Sequence, residues 1–131
     1  MIKKTVIFGC EERGDGHQPY LTRYTLFERK SFQICLHIFH RSDADDQHDH
    51  PWPFVSLILW RGYVEVTGNK RSRKYPGMLL FRKATHQHRV ELVKEHKAIT
   101  LVLMGKRIRE WYFFTKEGKM IWQKYFIKKG C

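Results

Sequence analysis

Cysteine is scarce in this chain. Cys10, Cys35 and Cys131 form no CxxC pair, and an odd count speaks against a disulfide framework and for a reducing compartment, here the cytoplasm. Long apolar runs are also missing. The opening MIKKTVIFGC places two lysines before an apolar run of only Thr5 to Phe8. That is shorter than the roughly 7–15 residues of a signal-peptide core, so it reads as a first strand. No stretch approaches the ~20 apolar residues of a membrane-spanning helix, and no repeat or low-complexity tract is present. Acidic charge is in short supply: 13 Asp and Glu against 25 Lys and Arg give +12. Such a balance raises the local concentration of anionic ligands and of nucleic acid.

Helical periodicity is nearly lacking as well, and strand patterning takes its place. In SFQICLHIFH, Phe32, Ile34, Leu36 and Ile38 fall on one face and Gln33, Cys35, His37 and Phe39 on the other, the period of a strand. FVSLILWRGYVEV (54–66) is rich in β-branched and aromatic residues and reads as strand up to the turn TGNK. Further strands are expected at 21–29, 77–82, 87–93, 98–104, 110–115 and 120–127, with KEGK (116–119) a turn and 11–19 a loose loop. Many short strands at regular spacing predict an all-β sandwich or barrel. With 42% hydrophobic residues, the chain of 131 residues suits a single domain over 1–131.

Eight histidines are present, six of them in the pairs His37/His40, His48/His50 and His86/His88. On extended backbone, residues i and i+2 project to one side, so His48 can point with His50, and His86 with His88. Two imidazoles from one strand and a third from a neighbouring strand make three legs of a metal site. The competing reading is a polar loop that happens to carry two histidines. His17 and His96 are assigned to that bland class, and His37 and His40 lean toward it. Around His48 the scarce acidic residues gather in DADDQHD (43–49). Asp45 reads as a solvated loop residue, Asp46 and Asp49 as structural groups or partners that orient a ligand. Pro51 and Pro53 bias His50 and Trp52 toward extended geometry, and remove two N–H groups from any ladder.

The stretch HDHPWPF resembles the first motif of the cupin superfamily, G(X)5HXH(X)3-4E(X)6G. His48-Asp49-His50 matches HXH, Val55 occupies the glutamate slot, and Gly62 falls at the closing glycine. YPGMLLFRKATHQHRVEL (75–92) is similar to the second motif, with His88 at its histidine and Leu92 where an asparagine is expected. The resemblance runs over roughly 30–115, taken as the cupin core. It implies a double-stranded β-helix (jelly-roll barrel) with a divalent transition metal inside, held by His48, His50 and His88. Loss of the glutamate leaves a three-histidine set similar to that of the thiol dioxygenases, which favours Fe2+, with Zn2+, Mn2+ or Ni2+ as alternatives. His86, Asp49, Asp46 and His37 are the candidates for a further ligand or a ligand-orienting partner, and Tyr63 and His86 the candidate catalytic groups by residue type.

These features predict a metal-dependent enzyme acting on a small, anionic substrate, of oxygenase type if iron is bound and of isomerase or lyase type otherwise. The second reading is a ligand-sensing or nucleic-acid-binding cupin with a structural metal. Charge and aromatics would suit single-stranded nucleic acid, but no recognition motif accompanies them. A homodimer through edge-strand exchange is the expected assembly.

Overall fold

The alternating segments become twelve strands. They are β1 (Lys3–Phe8), β2 (Pro19–Glu28), β3 (Phe32–Phe39), β4 (Gln47–His48), β5 (Phe54–Trp60), β6 (Tyr63–Thr67), β7 (Lys70–Lys74), β8 (Leu79–Arg82), β9 (Arg89–Leu92), β10 (Ala98–Gly105), β11 (Tyr112–Thr115) and β12 (Gly118–Ile121). One helix follows, α1 (Trp122–Lys129). The computed structural model describes residues 2–43 and 46–131; Asp45 lies outside them.

One wall is a six-stranded antiparallel sheet in the order β1-β2-β3-β10-β5-β8. The facing wall consists of two three-stranded sheets, β12-β11-β4 and β7-β6-β9. An antiparallel bridge between His48 and His88 joins β4 to the start of β9 and makes those two sheets one wall. The inward side chains alternate with outward ones along each strand. Ile58, Tyr63, Leu80, Val90, Leu92 and Ala98 pack into one buried cluster, and Cys35, Val102 and Met104 into another. Each large apolar side chain in such a cluster contributes roughly 1.5–3 kcal/mol through burial. The all-β, single-domain expectation is met.

Four local readings are corrected. The run 54–66 is two strands, broken at Arg61 and Gly62, whose φ values of 62° and 77° turn the chain from one wall to the other. A Cβ on Gly62 would collide with the Lys74 carbonyl oxygen, so glycine is required there both for conformation and for space. The segment 120–127 is strand only to Ile121 and helix afterwards. Trp122, Tyr125 and Phe126 recur at helical spacing. Tyr125 stacks on Phe113 at 3.7 Å between ring centroids, Trp122 lies parallel to Trp111, and Gly130 ends the helix in the left-handed region. After the expected turn TGNK, Lys70–Lys74 forms β7, a strand absent from the expected set. Finally, Cys10 and Cys131 are disulfide-bonded across 121 residues, and only Cys35 is free and buried. An odd total does not prevent one pair, and the pairing removes the argument for a reducing compartment.

Candidate metal centre

The bridge that seals the second wall also builds the site. His48 donates its N–H to the His88 carbonyl at 2.9 Å and His88 returns one to the His48 carbonyl at 3.0 Å. Residues paired in this way send their side chains to the same face. His50, two residues beyond His48, projects alongside and is anchored by its N–H to the Ala84 carbonyl at 2.9 Å. Pro51 and Pro53 lack N–H groups, yet their carbonyls accept from Ile108 and Gly105 and fix this segment against the end of β10 and the loop beyond it. The ring centroids of His48, His50 and His88 lie 5.2, 5.2 and 4.8 Å apart. One nitrogen from each falls within 4.8 Å of the others, and His50 Nε2 is 3.1 Å from His88 Nε2.

Glu65 of β6 sets the orientation of His88. It is buried, and its Oε2 accepts from His88 Nδ1 at 2.6 Å and from His86 Nε2 at 3.2 Å. Arg82 donates to both oxygens, at 2.5 and 3.0 Å, and Lys74 Nζ lies 4.0 Å away. Burial pushes the Glu65 carboxyl up, but the hydrogen bonds from His86, His88 and Arg82 outweigh it and hold the group well below the usual carboxylate range. A carboxylate on Nδ1–H leaves His88 Nε2 with its lone pair toward His50, the arrangement found behind metal-bound imidazoles. Burial, reinforced by the neighbouring rings, holds His48 and His50 far below the ordinary imidazole value, so both are neutral at pH 7. Neutral imidazole is the form that ligates.

The donor set fits a divalent transition metal. Two imidazole nitrogens 3.1 Å apart match adjacent ligands at about 2.1 Å from one ion. His50 Nδ1, moreover, is buried without a hydrogen-bond partner, and the other nitrogen of the ring faces His88. A second group, Glu65, His86 and His88, also brings three donors together. Its carboxylate already faces Arg82 and Lys74, and a further cation there would meet that positive charge at short range.

The remaining sequence candidates fall elsewhere. Asp49 is buried but turned from the rings: it accepts from the Tyr112 N–H at 2.7 Å and pairs with Arg109 at 2.9 Å, tying β11 to the histidine strand. Asp46 accepts from the Tyr125 hydroxyl at 3.0 Å, which fastens α1. His86 shares the Glu65 Oε2 with His88 and is not among the residues lining the cavity, and His37 lies on the opposite wall, accepting from Arg23 Nε at 3.0 Å. Tyr63 is buried in the cavity lining, and burial raises its pKa, keeping it a protonated phenol. Val55 faces outward. The inward position near the rings belongs to Phe54, 4.7 Å from His50 between centroids, so the motif's shorter spacer is the one used. His40 bonds Thr22 Oγ1 at 2.7 Å. Leu92 belongs to the core.

Sequence reasoning missed Glu65, Arg23 and Asp43. Glu65 interrupts the apolar alternation of YVEVT on the inward parity of Tyr63, and that was the available signal. Asp43 is buried beside His48, with Oδ2 3.9 Å from its Nε2, accepts from the Val90 N–H and the Tyr20 hydroxyl, and is pushed up to about 6 by burial. The three rings open on a cavity of about 660 Å³ between the walls, lined by aromatic and aliphatic side chains and closed on one side by Tyr125 and Phe126 of α1.

Two facing antiparallel sheets closing on an inner cavity make the cupin fold. Solved structures bear out that fold. The chain matches a cupin-2 domain protein from Rhodospirillum rubrum with a TM-score of 0.67 and 12% identity, over 89% of this chain and 78% of that one. It matches the polyketide cyclase RemF of Streptomyces resistomycificus with 0.58 and 15%, over 66% of this chain and 65% of the cyclase. The DMSP lyase DddQ of Ruegeria pomeroyi matches with 0.59 and 16%, over 79% of this chain and 58% of the lyase. At these identities the likeness concerns the fold. No family model and no curated protein matches the sequence.

Proposed function

We propose that this protein is a metal-dependent cupin enzyme acting on a small molecule, with His48, His50 and His88 holding one divalent transition metal, Fe2+ favoured. The carrying observation is the approach of three imidazoles at the rim of an apolar cavity, two of them held neutral by burial and the third oriented by Glu65. Three protein ligands leave positions for substrate, and the ion would supply Lewis acidity, or oxygenation chemistry if it is iron. The chain's own residues do the rest. The apolar walls exclude water, which strengthens every electrostatic contact inside. Glu65 keeps the His88 proton on Nδ1, and Tyr63, protonated at neutral pH, is a donor and not a base. The similar structures of a cyclase and a lyase support an enzyme in general terms, and neither assigns the reaction.

Elemental analysis tests this reading. The purified protein is expected to hold about one metal per chain, and the triple variant His48→Ala, His50→Ala, His88→Ala to hold none; full retention by that variant would overturn the proposal. Oxygen consumption on metal-loaded protein separates oxygenase chemistry from the rest.

Nucleic-acid binding is the weaker reading. In β7, Arg71 is paired with Glu91, and Arg73 donates to the carbonyls of Arg61, Tyr63 and Lys74, so much of the basic run is engaged within the fold. Among the described residues no helix is long and apolar enough to cross a membrane.

A second copy of the chain is the proposed partner. On the outer face of the six-stranded sheet the register lines up Phe81, Val55, Leu103, Ile34 and Phe27 in one row and Leu79, Leu57, Leu101, Leu36 and Tyr24 in the next. Phe81 is 68% exposed and Leu79 52%. Together the rows present a contiguous, mostly apolar surface of the kind that marks a protein–protein contact, and a stable interface takes roughly 800 Å² from each partner. Light scattering is expected to give a dimer mass, and Phe81→Asp a monomer; a monomeric wild type at 100 µM would refute it.

A further inference from the structure

The wall facing the histidines carries its own polar feature. Arg23 of β2 is registered opposite His37 of β3, and His37 opposite Thr100 of β10, so the three form a row on the cavity side. Arg23 donates from Nε to His37 Nε2 at 3.0 Å. That bond requires a neutral imidazole with a free lone pair on Nε2, and burial, followed by the charge of Arg23 itself, lowers the His37 value to about 3. Among the described residues no carboxylate pairs with Arg23. The other two arginines of the cavity are engaged: Arg13 with Asp15 and the Ser42 carbonyl, Arg107 with Glu110. Holding a guanidinium in a largely apolar cavity without a counter-charge is costly, by several kcal/mol for a fully desolvated ion. A ligand that brings the negative charge removes that cost.

We propose that Arg23, oriented by His37, binds the carboxylate of a small ligand whose apolar body fills the cavity and whose other end reaches the three histidines. The planar fork of a guanidinium matches a carboxylate in two parallel hydrogen bonds. A single guanidinium suits a monoanion. The cavity lining shared by Arg23 and the imidazoles includes Trp52, Phe54, Val102, Met104, Trp111 and Phe113, which offer little to a dianionic phosphate and much to a hydrocarbon or an aromatic ring. This inference rests on the metal reading only for what the far end of the ligand meets.

The test uses 3-phenylpropionate, its neutral amide 3-phenylpropanamide, and phenyl phosphate, titrated against the fluorescence of the cavity tryptophans. It is run on the protein as purified and after chelation. The acid is expected to bind at least tenfold more tightly than the amide in both forms, and Arg23→Met to bring the acid down to the level of the amide while leaving the amide unchanged. Arg23→Lys, which keeps charge without the fork, is expected to lose five- to tenfold, and it decides the matter if Arg23→Met fails to fold. Equal affinity for acid and amide, no saturable acid binding, an acid preference that survives Arg23→Met, or one that Arg23→Lys leaves undiminished would overturn the proposal. A preference that disappears on chelation would assign the carboxylate to the metal and also overturn it, and tighter binding of phenyl phosphate would replace the ligand class. Metal content, measured in parallel, reports on the three-histidine reading separately: a persistent acid preference in a protein that binds no metal would sink that reading and leave this one standing.

Discussion

Replacing Glu65 by glutamine is the sharpest perturbation of the proposed centre that leaves every imidazole in place. The carboxylate accepts hydrogen bonds from His88, His86 and twice from Arg82. Glutamine keeps one oxygen and sets an NH2 group, itself a donor, against one of these donors. The variant therefore loses the negative charge and at least one charge-assisted bond, an interaction of about 1.5–3 kcal/mol. For the centre, the consequence is a His88 ring free to change tautomer and tilt. Loss of such an orienting partner costs roughly 10–100-fold in metal affinity, about 1.4–2.7 kcal/mol. The assay is competition against a fluorescent chelator at fixed pH, with circular dichroism to confirm the fold. Glu91→Gln is the control, since Glu91 meets Arg71 and Arg89 on the outside of β9 and should leave affinity unchanged. A folded Glu65→Gln protein within twofold of wild-type affinity would refute the idea that Glu65 organises the site.

Three further outcomes are expected. His37 is neutral in the fold down to about pH 3 against an ordinary value of 6.5. The unfolded chain thus takes up the proton first, and its stabilising effect, complete above 6.5, declines as pH falls, reaching a loss of roughly 3 kcal/mol at pH 4. Urea unfolding from pH 7 to 4 should show a slope of this sign, to which the buried His48 and His50 add, and His37→Gln should lessen it. Cys131→Ser opens a covalent loop spanning 121 residues and should lower stability by up to about 5 kcal/mol on the chain-entropy estimate; an unchanged denaturation midpoint would show that the bond contributes nothing. Gly62→Ala should cost at least about 2 kcal/mol through its positive φ and the Lys74 carbonyl, whereas Arg61→Gly, at φ 62°, should cost nothing or stabilise.

The parts of the fold that could be read in advance were those where burial is one-sided. Alternation in 32–39 marked a strand with a wet face and a dry one, and histidines two apart on extended backbone pointed to a shared side. What could not be read depended on partners distant in sequence. Nothing in FVSLILWRGYVEV says that Arg61-Gly62 turns a corner, because the reason for the glycine is the carbonyl of Lys74 on a strand yet to come. The last segment, IWQKYFIKK, is apolar at both strand and helix periods. Its helical state follows from Phe113 and Trp111, which offer flat ring surfaces for Tyr125 and Trp122. Glu65 drew no reading, because the partners that give it a role, Arg82, His86 and His88, close around it only in the fold. Arg23 was one basic residue among 25, and only its position inside the barrel sets it apart.

Because Cys10 is bonded to Cys131, every residue from the end of β1 to the far end of α1 belongs to one covalent macrocycle. A single tryptic nick in any exposed basic stretch of that ring releases no fragment. The nicked molecule keeps its mass until a reductant is added, and then falls into two pieces whose sizes locate the cut.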